Sequence, residues 1–237
     1  MASGNTSRYT SKGQAAARFV AQRGLLKPLV WSLVDVETVG KQNLKDVGKA
    51  FLVVANHSSH LDAPLILGAL PQKLSRYLAA GAAADYFFDV WWRRGLTALF
   101  FNAFPVDRSG KNPRSISAKL LLQRGVPLLV FPEGTRSKDY RKLGDFKPGA
   151  AALSIATDAP VVPIALVGAG RAHPRGSSWP KPGRLPVAVV FGKPMRGKNG
   201  ESAPEFMTRI RAEIERLLAE HSPRILGDDR PEGDTKS

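Results

Sequence analysis

His57 and Asp62, within Asn56-His57-Ser58-Ser59-His60-Leu61-Asp62, are the side chains of this 237-residue chain best suited to moving a proton. An imidazole can take a proton from a hydroxyl while a carboxylate holds the ring in one tautomer and stabilises its charged form. No protein nucleophile stands out, for the chain has no cysteine and no Gly-x-Ser-x-Gly elbow. Chemistry by this pair therefore points to a hydroxyl brought by a substrate, attacking a second bound substrate without a covalent enzyme intermediate. A structural use of the same residues competes with this. Leu52-Val53-Val54-Ala55 reads as a buried strand, and Asp62 before Ala63-Pro64 and an apolar run reads as a helix N-cap. On the pair alone, capping outweighs catalysis.

Three further segments shift the balance, in order along the chain. They are Phe104-Pro105-Val106-Asp107-Arg108, Phe131-Pro132-Glu133-Gly134-Thr135-Arg136-Ser137, and Val161-Val162-Pro163-Ile164-Ala165-Leu166. With the His57/Asp62 block, the chain from about residue 50 to 195 resembles the glycerolipid acyltransferase family of the lysophosphatidic acid acyltransferase type. The resemblance implies His57 as general base and Asp62 as its partner. It also implies Arg108, Glu133, Gly134, Thr135 and Arg136 in the acceptor site, with Pro163 on a mainly structural strand.

The same blocks can be read from their chemistry. Pro127 to Phe131 is a short apolar run suited to a central strand, which puts Glu133 to Arg136 in the loop at its C-terminal end, where open α/β sheets collect their sites. Gly134 lets backbone approach a ligand, and the Arg136 guanidinium is a planar fork of donors matched to phosphate oxygens. The competing reading is a plain turn with a solvated arginine. Arg108 has the same alternative, as an exposed charge beyond a short strand. Phe146-Lys147-Pro148-Gly149 opens a predicted helix whose free N–H groups could add an anion contact.

Charge narrows the partners. A formal +15 favours phosphate-rich surfaces. Residues 1 to 34 carry Arg8, Lys12, Arg18, Arg23 and Lys27 with no acidic residue, among Phe19, Val20, Leu25, Leu26, Leu29, Val30 and Trp31. That pattern describes a basic amphipathic helix for an anionic membrane surface, each cation contributing about 1 kcal/mol, or a helix packed on its own domain. Asp85 to Val106 interleaves aromatic residues with Arg93 and Arg94, as at a headgroup interface or in a core. Residues 159 to 200 hold seven basic and no acidic side chains, a surface for an acyl-CoA or acyl carrier protein donor, for more membrane, or simply for solvent. No uncharged apolar stretch reaches the ~18 residues of a spanning helix. The N-terminus lacks a signal-peptide core. The expectation is a peripheral or monotopic protein at the cytoplasmic face of a membrane.

The expected fold is a single layered α/β domain, with a central, largely parallel sheet flanked by helices and an N-terminal amphipathic membrane-contacting helix. Strands are expected near 51–55, 76–80, 127–131, 161–167 and 186–191, and helices over 62–70, 85–101, 112–124, 148–157 and 203–220. The chain divides into a polar tail (1–13), an amphipathic segment (14–36), a catalytic domain (37–221) and a flexible tail (222–237). His60 belongs to the loop beside the site, and His60, His173 and His221 show no metal-ligand grouping with carboxylates. The expected activity is acyl transfer to the free hydroxyl of 1-acylglycerol 3-phosphate, with no metal and no cofactor beyond the thioester co-substrate. The alternatives are another lysophospholipid or glycolipid acceptor, or a non-catalytic basic nucleic-acid-binding protein. The latter has no zinc-finger or RNA-recognition motif to support it.

Overall fold

Two apolar runs, Leu52–Ala55 (β2) and Val161–Val167 (β6), are completely buried and pair in parallel at the centre of a sheet. Strands apolar on both faces suit a parallel sheet covered by helices on each side. The computed structural model describes residues 7–83, 100–102, 104–106 and 118–227. Within these, seven strands follow the order β1-β7-β6-β2-β5-β3-β4. The others are β1 (Asp35–Val39), β3 (Ala79–Ala83), β4 (Phe104–Val106), β5 (Leu128–Val130) and β7 (Pro186–Phe191). All pairings are parallel except β6 with β7.

Strand pleating divides the core in two. Leu52 and Val54 of β2 face one layer, with Phe206, Ile210, Ile214 and Leu217 of the long C-terminal helix. Val53 and Ala55 face the other, with Leu65, Ile66, Leu67 and Ala69 of the helix Asp62–Ala69 and Val30 and Val34 of the N-terminal segment. The C-terminal helix, Ala203–Leu226, opens on a capping box in which Ser202 and Glu205 exchange hydrogen bonds.

The largely parallel, helix-flanked sheet matches the expectation, with differences that have local causes. Strand β1 was not anticipated, and β4 had been read only as a short strand before Arg108, outside the main set of expected strands. β1 (Asp-Val-Glu-Thr-Val) is a sheet edge with no buried face to give it an apolar pattern, and the expected boundary at residues 36 and 37 falls inside it. β3 begins three residues after the expected 76, because Tyr77 and Leu78 still belong to the turn that follows a short helix, Gln72–Ser75. The C-terminal helix runs past 220 to Leu226. Ile225 and Leu226 are buried, and Arg171 donates to the carbonyls of both, satisfying the helix end. Residues 222–226 are therefore not part of a loose tail. The predicted helix over 85–101 and most of the aromatic stretch from Asp85 lie outside the described residues.

The N-terminal segment is helical from Ser7 to Leu33, with one break at Ser11 and a six-residue π-helical stretch at Ala21–Leu26. Tyr9, within the expected polar tail, is fully buried in the core. The segment docks with polar groups inward. Arg18 and Gln22 are buried, and Gln22 donates to the Phe100 carbonyl at 2.7 Å. Arg23 donates to the carbonyls of Gly68 and Leu70 at 2.9 and 2.5 Å, closing the C-terminal end of the helix Asp62–Ala69. Val20, Leu25 and Leu29 are left facing out.

Asn56 extends the central β2/β6 ladder by one rung. Its side chain donates to the Leu166 carbonyl at 3.0 Å and accepts from the Leu166 N–H at 2.7 Å, imitating a backbone residue. Asn56→Ala would orphan both buried groups, so a loss of about 2 kcal/mol is expected from denaturant unfolding at unchanged slope. A loss below about 0.5 kcal/mol would mean that water replaces the side chain.

Candidate functional site

β6, β2 and β5 are parallel neighbours, so the loops that follow them emerge at one end of the sheet, where α/β proteins bind ligands. The β2 loop carries His57 to Asp62, and the β5 loop carries Phe131 to Ser137. The β6 loop, after the short helix Ala169–Ala172, carries His173. Segments more than 70 residues apart in sequence thus converge on a single turn.

Asp62 is the first residue of its helix, but its carboxylate does not cap it. Asp62 Oδ2 turns back and accepts from the backbone N–H of Ser58 at 2.7 Å and of Ser59 at 2.8 Å. It also lies 2.8 Å from His57 Nδ1. The capping reading of Asp62 is therefore replaced by one in which it organises the turn before the helix. Asp62 is fully buried, whereas the His57 side chain retains 22% exposure, so the carboxylate is dry and the imidazole reaches solvent. With Nδ1 held by Asp62, Nε2 is the ring nitrogen free to meet a substrate proton. The His57 ring stacks on Phe131, with centroids 4.1 Å apart and planes at 17°. That contact fixes the remaining rotation.

Glu133 locks the two loops together. Its Oε1 accepts from the His57 N–H at 2.7 Å and its Oε2 from the Gly144 N–H at 3.0 Å. The Ser137 N–H in turn donates to the His57 carbonyl at 2.7 Å. Burial pushes the Glu133 carboxyl upward, while the two backbone donors pull it back towards the charged form. Both oxygens are engaged, so Glu133 braces the loop bearing His57 and does not present a free carboxylate to the cleft.

The cationic side of the site comes from Arg136 and Lys147. Among the described residues no acidic side chain pairs with Arg136. Gly134 has φ +72°, a left-handed conformation that favours glycine, and a Cβ there would stand 3.5 Å from Lys147 Nζ. The Lys147 N–H donates to the Pro132 carbonyl at 3.0 Å, which ties the start of the helix Gly149–Thr157 to this loop. Thr135 is exposed beside Arg136. His60 is held below the ordinary histidine range, first by burial and then by the charges of Arg136, His173 and His57. It therefore stays neutral at neutral pH. Arg108 lies outside the described residues.

His173 also approaches the turn, which its position in the sequence does not suggest. Its ring Nδ1 lies 3.3 Å from Ser59 Oγ, and that hydroxyl donates to the His173 carbonyl at 3.0 Å. Gly170 makes the approach possible. A Cβ there would stand 2.3 Å from that of Tyr140 and 3.0 Å from that of Ser58. Asn56, Phe131, Lys147 and His173 all build the site without having been singled out as site residues. For Lys147 the signal was present, since the stretch that opens its helix was expected to meet an anion.

A family model described as Acyltransferase matches residues 35–167, from the edge strand through the end of β6. The chain belongs to the acyltransferase family. Among its relatives, a 1-acyl-sn-glycerol-3-phosphate acyltransferase of Pseudomonas aeruginosa is 35% identical over 80% of the chain and 71% of its own length. A chloroplastic enzyme of the same description from Brassica napus is 32% identical over 73% of the chain and 48% of its own. The chain spans about half the length of several relatives it matches. In fold, the chain resembles the crystal structure of the 1-acyl-sn-glycerophosphate acyltransferase PlsC from Thermotoga maritima, with TM-score 0.64, 27% identity and 91% of each chain covered. Family membership sets aside the reading as a nucleic-acid-binding protein.

Proposed function

We propose that this acyltransferase moves a fatty acyl group from acyl-CoA or acyl carrier protein to the free hydroxyl of 1-acylglycerol 3-phosphate, giving phosphatidic acid. The observation that carries the reading is His57 held by a buried Asp62 beside two cations, Arg136 and Lys147, at the mouth of the sheet. His57 Nε2 takes the proton of the acceptor hydroxyl as its oxygen attacks the thioester carbonyl. The tetrahedral intermediate collapses by breaking the carbon–sulfur bond, and His57 returns the proton to the departing thiolate. Asp62 stabilises the imidazolium formed between these steps. The N–H groups of His57, Ser58 and Ser59 are already taken by Glu133 and Asp62. The developing oxyanion must therefore find its donors elsewhere, and Arg136 and Lys147 carry the site's positive charge.

In this reading Arg136 binds the acceptor phosphate, with Arg108 as a second contact, while Gly134 and Thr135 line the acceptor path. The donor's phosphates or acidic carrier surface suit a chain of formal charge +15. No helix among the described residues is long and apolar enough to cross a membrane. The outward Val20, Leu25 and Leu29 of the N-terminal segment and its basic residues are proposed to rest on an anionic leaflet at the cytoplasmic face.

A lipid-product assay with purified protein, crossing both donor types against a panel of lysolipids, tests the reading. Arg136→Ala is expected to lower kcat/KM for lysophosphatidic acid about 10- to 100-fold while barely changing an acceptor that lacks the phosphate. Equal losses on both acceptors would remove Arg136 from phosphate binding. Transfer confined to another lysolipid would reassign the acceptor within the family.

A further inference from the structure

Between the end of β6 and the start of β7 the chain makes an excursion over residues 173–185, His-Pro-Arg-Gly-Ser-Ser-Trp-Pro-Lys-Pro-Gly-Arg-Leu. Trp179 is 75% exposed, more than Val20, Leu25, Leu29 or Ile155, the other large apolar side chains left in solvent among the described residues. Arg175, Lys181 and Arg184 around it are exposed too, and the excursion has no acidic residue. Water is a poor medium for an indole flanked by cations. The headgroup layer of an anionic bilayer suits it well, because the ring is apolar, its N–H finds acceptors, and the cations meet phosphate.

The excursion is held, not loose. Pro174, Pro180 and Pro182 restrict its backbone, the Lys181 N–H donates to the Ala172 carbonyl at 2.7 Å, and the Ser177 N–H donates to the Pro174 carbonyl at 3.1 Å. At one end His173 meets Ser59 of the catalytic turn, and Arg175 donates to the Arg136 carbonyl at 2.8 Å. At the other, Arg184 donates to the Trp31 carbonyl at 3.1 Å, on the N-terminal segment that leaves Leu25 and Leu29 outward. Trp179 is thus strung between the acceptor loop and the segment with the apolar outer face.

We propose that residues 174–184 form a second membrane contact, in which Trp179 inserts into the headgroup region of an anionic phospholipid bilayer and Arg175, Lys181 and Arg184 bind its phosphates, seating the acceptor loop against the surface. The membrane contact stands on the excursion itself. Only its effect on turnover rests on the proposed acyl transfer to a lipid.

The test uses the full chain with vesicles of neutral phosphatidylcholine, with and without 30 mol% phosphatidylglycerol. The chain has four tryptophans, so Trp179 is isolated as the difference between wild type and Trp179→Phe. That difference should shift to the blue and be quenched by lipids brominated near the headgroup, in the anionic vesicles. Trp179→Ala should weaken binding to anionic vesicles about tenfold without changing the melting temperature. Lys181→Glu should weaken it by more than the roughly fivefold of one lost cation, and only when phosphatidylglycerol is present. Trp179→Ala should retain turnover of a short-chain lysolipid below its micelle concentration while losing it on the same headgroup embedded in vesicles. A Trp179 difference signal that lipid neither shifts nor quenches, or wild-type vesicle binding by Trp179→Ala, would overturn the proposal. So would unchanged vesicle binding with a raised KM for an acyl carrier protein donor, which would assign the excursion to the donor. Lack of turnover with every lysolipid, alongside quenching as expected, would count against the acyl-transfer reading alone.

Discussion

Asp62→Asn should lower the acyl-transfer rate by about 10²- to 10³-fold in a protein that still folds. All three donors converge on Asp62 Oδ2, and no described group hydrogen-bonds to the buried Oδ1. An asparagine keeps these contacts by placing its carbonyl oxygen at the Oδ2 position, so the His57 tautomer survives. What disappears is the negative charge beside the imidazolium. Unit charges about 4 Å apart interact by about 4 kcal/mol at an effective dielectric constant of 20, which sets the upper end of the rate loss. The displaced amide lands in a buried position with no partner, a cost of about 1 to 3 kcal/mol that should be visible in thermal unfolding. Asp62→Ala also releases the ring and orphans two backbone N–H groups, and should be worse in both respects. In the serine-hydrolase template the Asp-to-Asn change costs about 10⁴, because there the wrong tautomer results. His57→Ala should lose the 10² to 10⁴ expected of a missing general base. The measurements are initial rates below saturation and melting temperatures. Near-wild-type turnover by folded Asp62→Asn would reduce Asp62 to a scaffold for the turn and break the proposed mechanism.

Glu133→Ala is expected to be nearly as damaging to turnover, through position and not through contact with substrate. It removes the acceptor for the His57 N–H and for the Gly144 N–H, two partly buried charge-assisted hydrogen bonds worth about 1.5 to 3 kcal/mol each before any relaxation. A turn free to shift by an ångström can lose on the order of 10² in rate. Glu133→Gln retains one acceptor oxygen and offers an amide to the other N–H, so it should fall between Ala and wild type in stability. The distinguishing readout is the acceptor panel. Loss of kcat by the same factor on every acceptor, with little change in KM, marks a positioning residue. A loss confined to KM for a single headgroup would instead place the Glu133 side chain against that substrate.

Much of the centre of the fold is legible in the sequence. The apolar runs behind β2, β5, β6 and β7 and the helical periodicity after Ala203 are local patterns, and each became the expected element within a few residues. The edges were less legible. β1 has no buried face to impose a period of two, and three residues of β4 are paired among the described residues. For the N-terminal segment the sequence showed basic and apolar residues together, but could not say which would turn inward. Here Arg18, Gln22 and Arg23 meet core carbonyls and leave Val20, Leu25 and Leu29 outside.

The sequence by itself determined the chemistry that is available. His57 and Asp62 lie five residues apart, and Asp62 reaches the amides of Ser58 and Ser59 within the same turn, so their geometry is a local matter, as is the arginine placed just beyond a short strand. Tertiary structure alone decided how that chemistry is held. Glu133 braces His57 across 76 residues, Asn56 joins Leu166 across 110, and Ser59 meets His173 across 114. Such contacts leave no periodicity in the chain. They arise because three parallel strands open at the same end of a sheet, and the order of those strands is set by how whole layers pack.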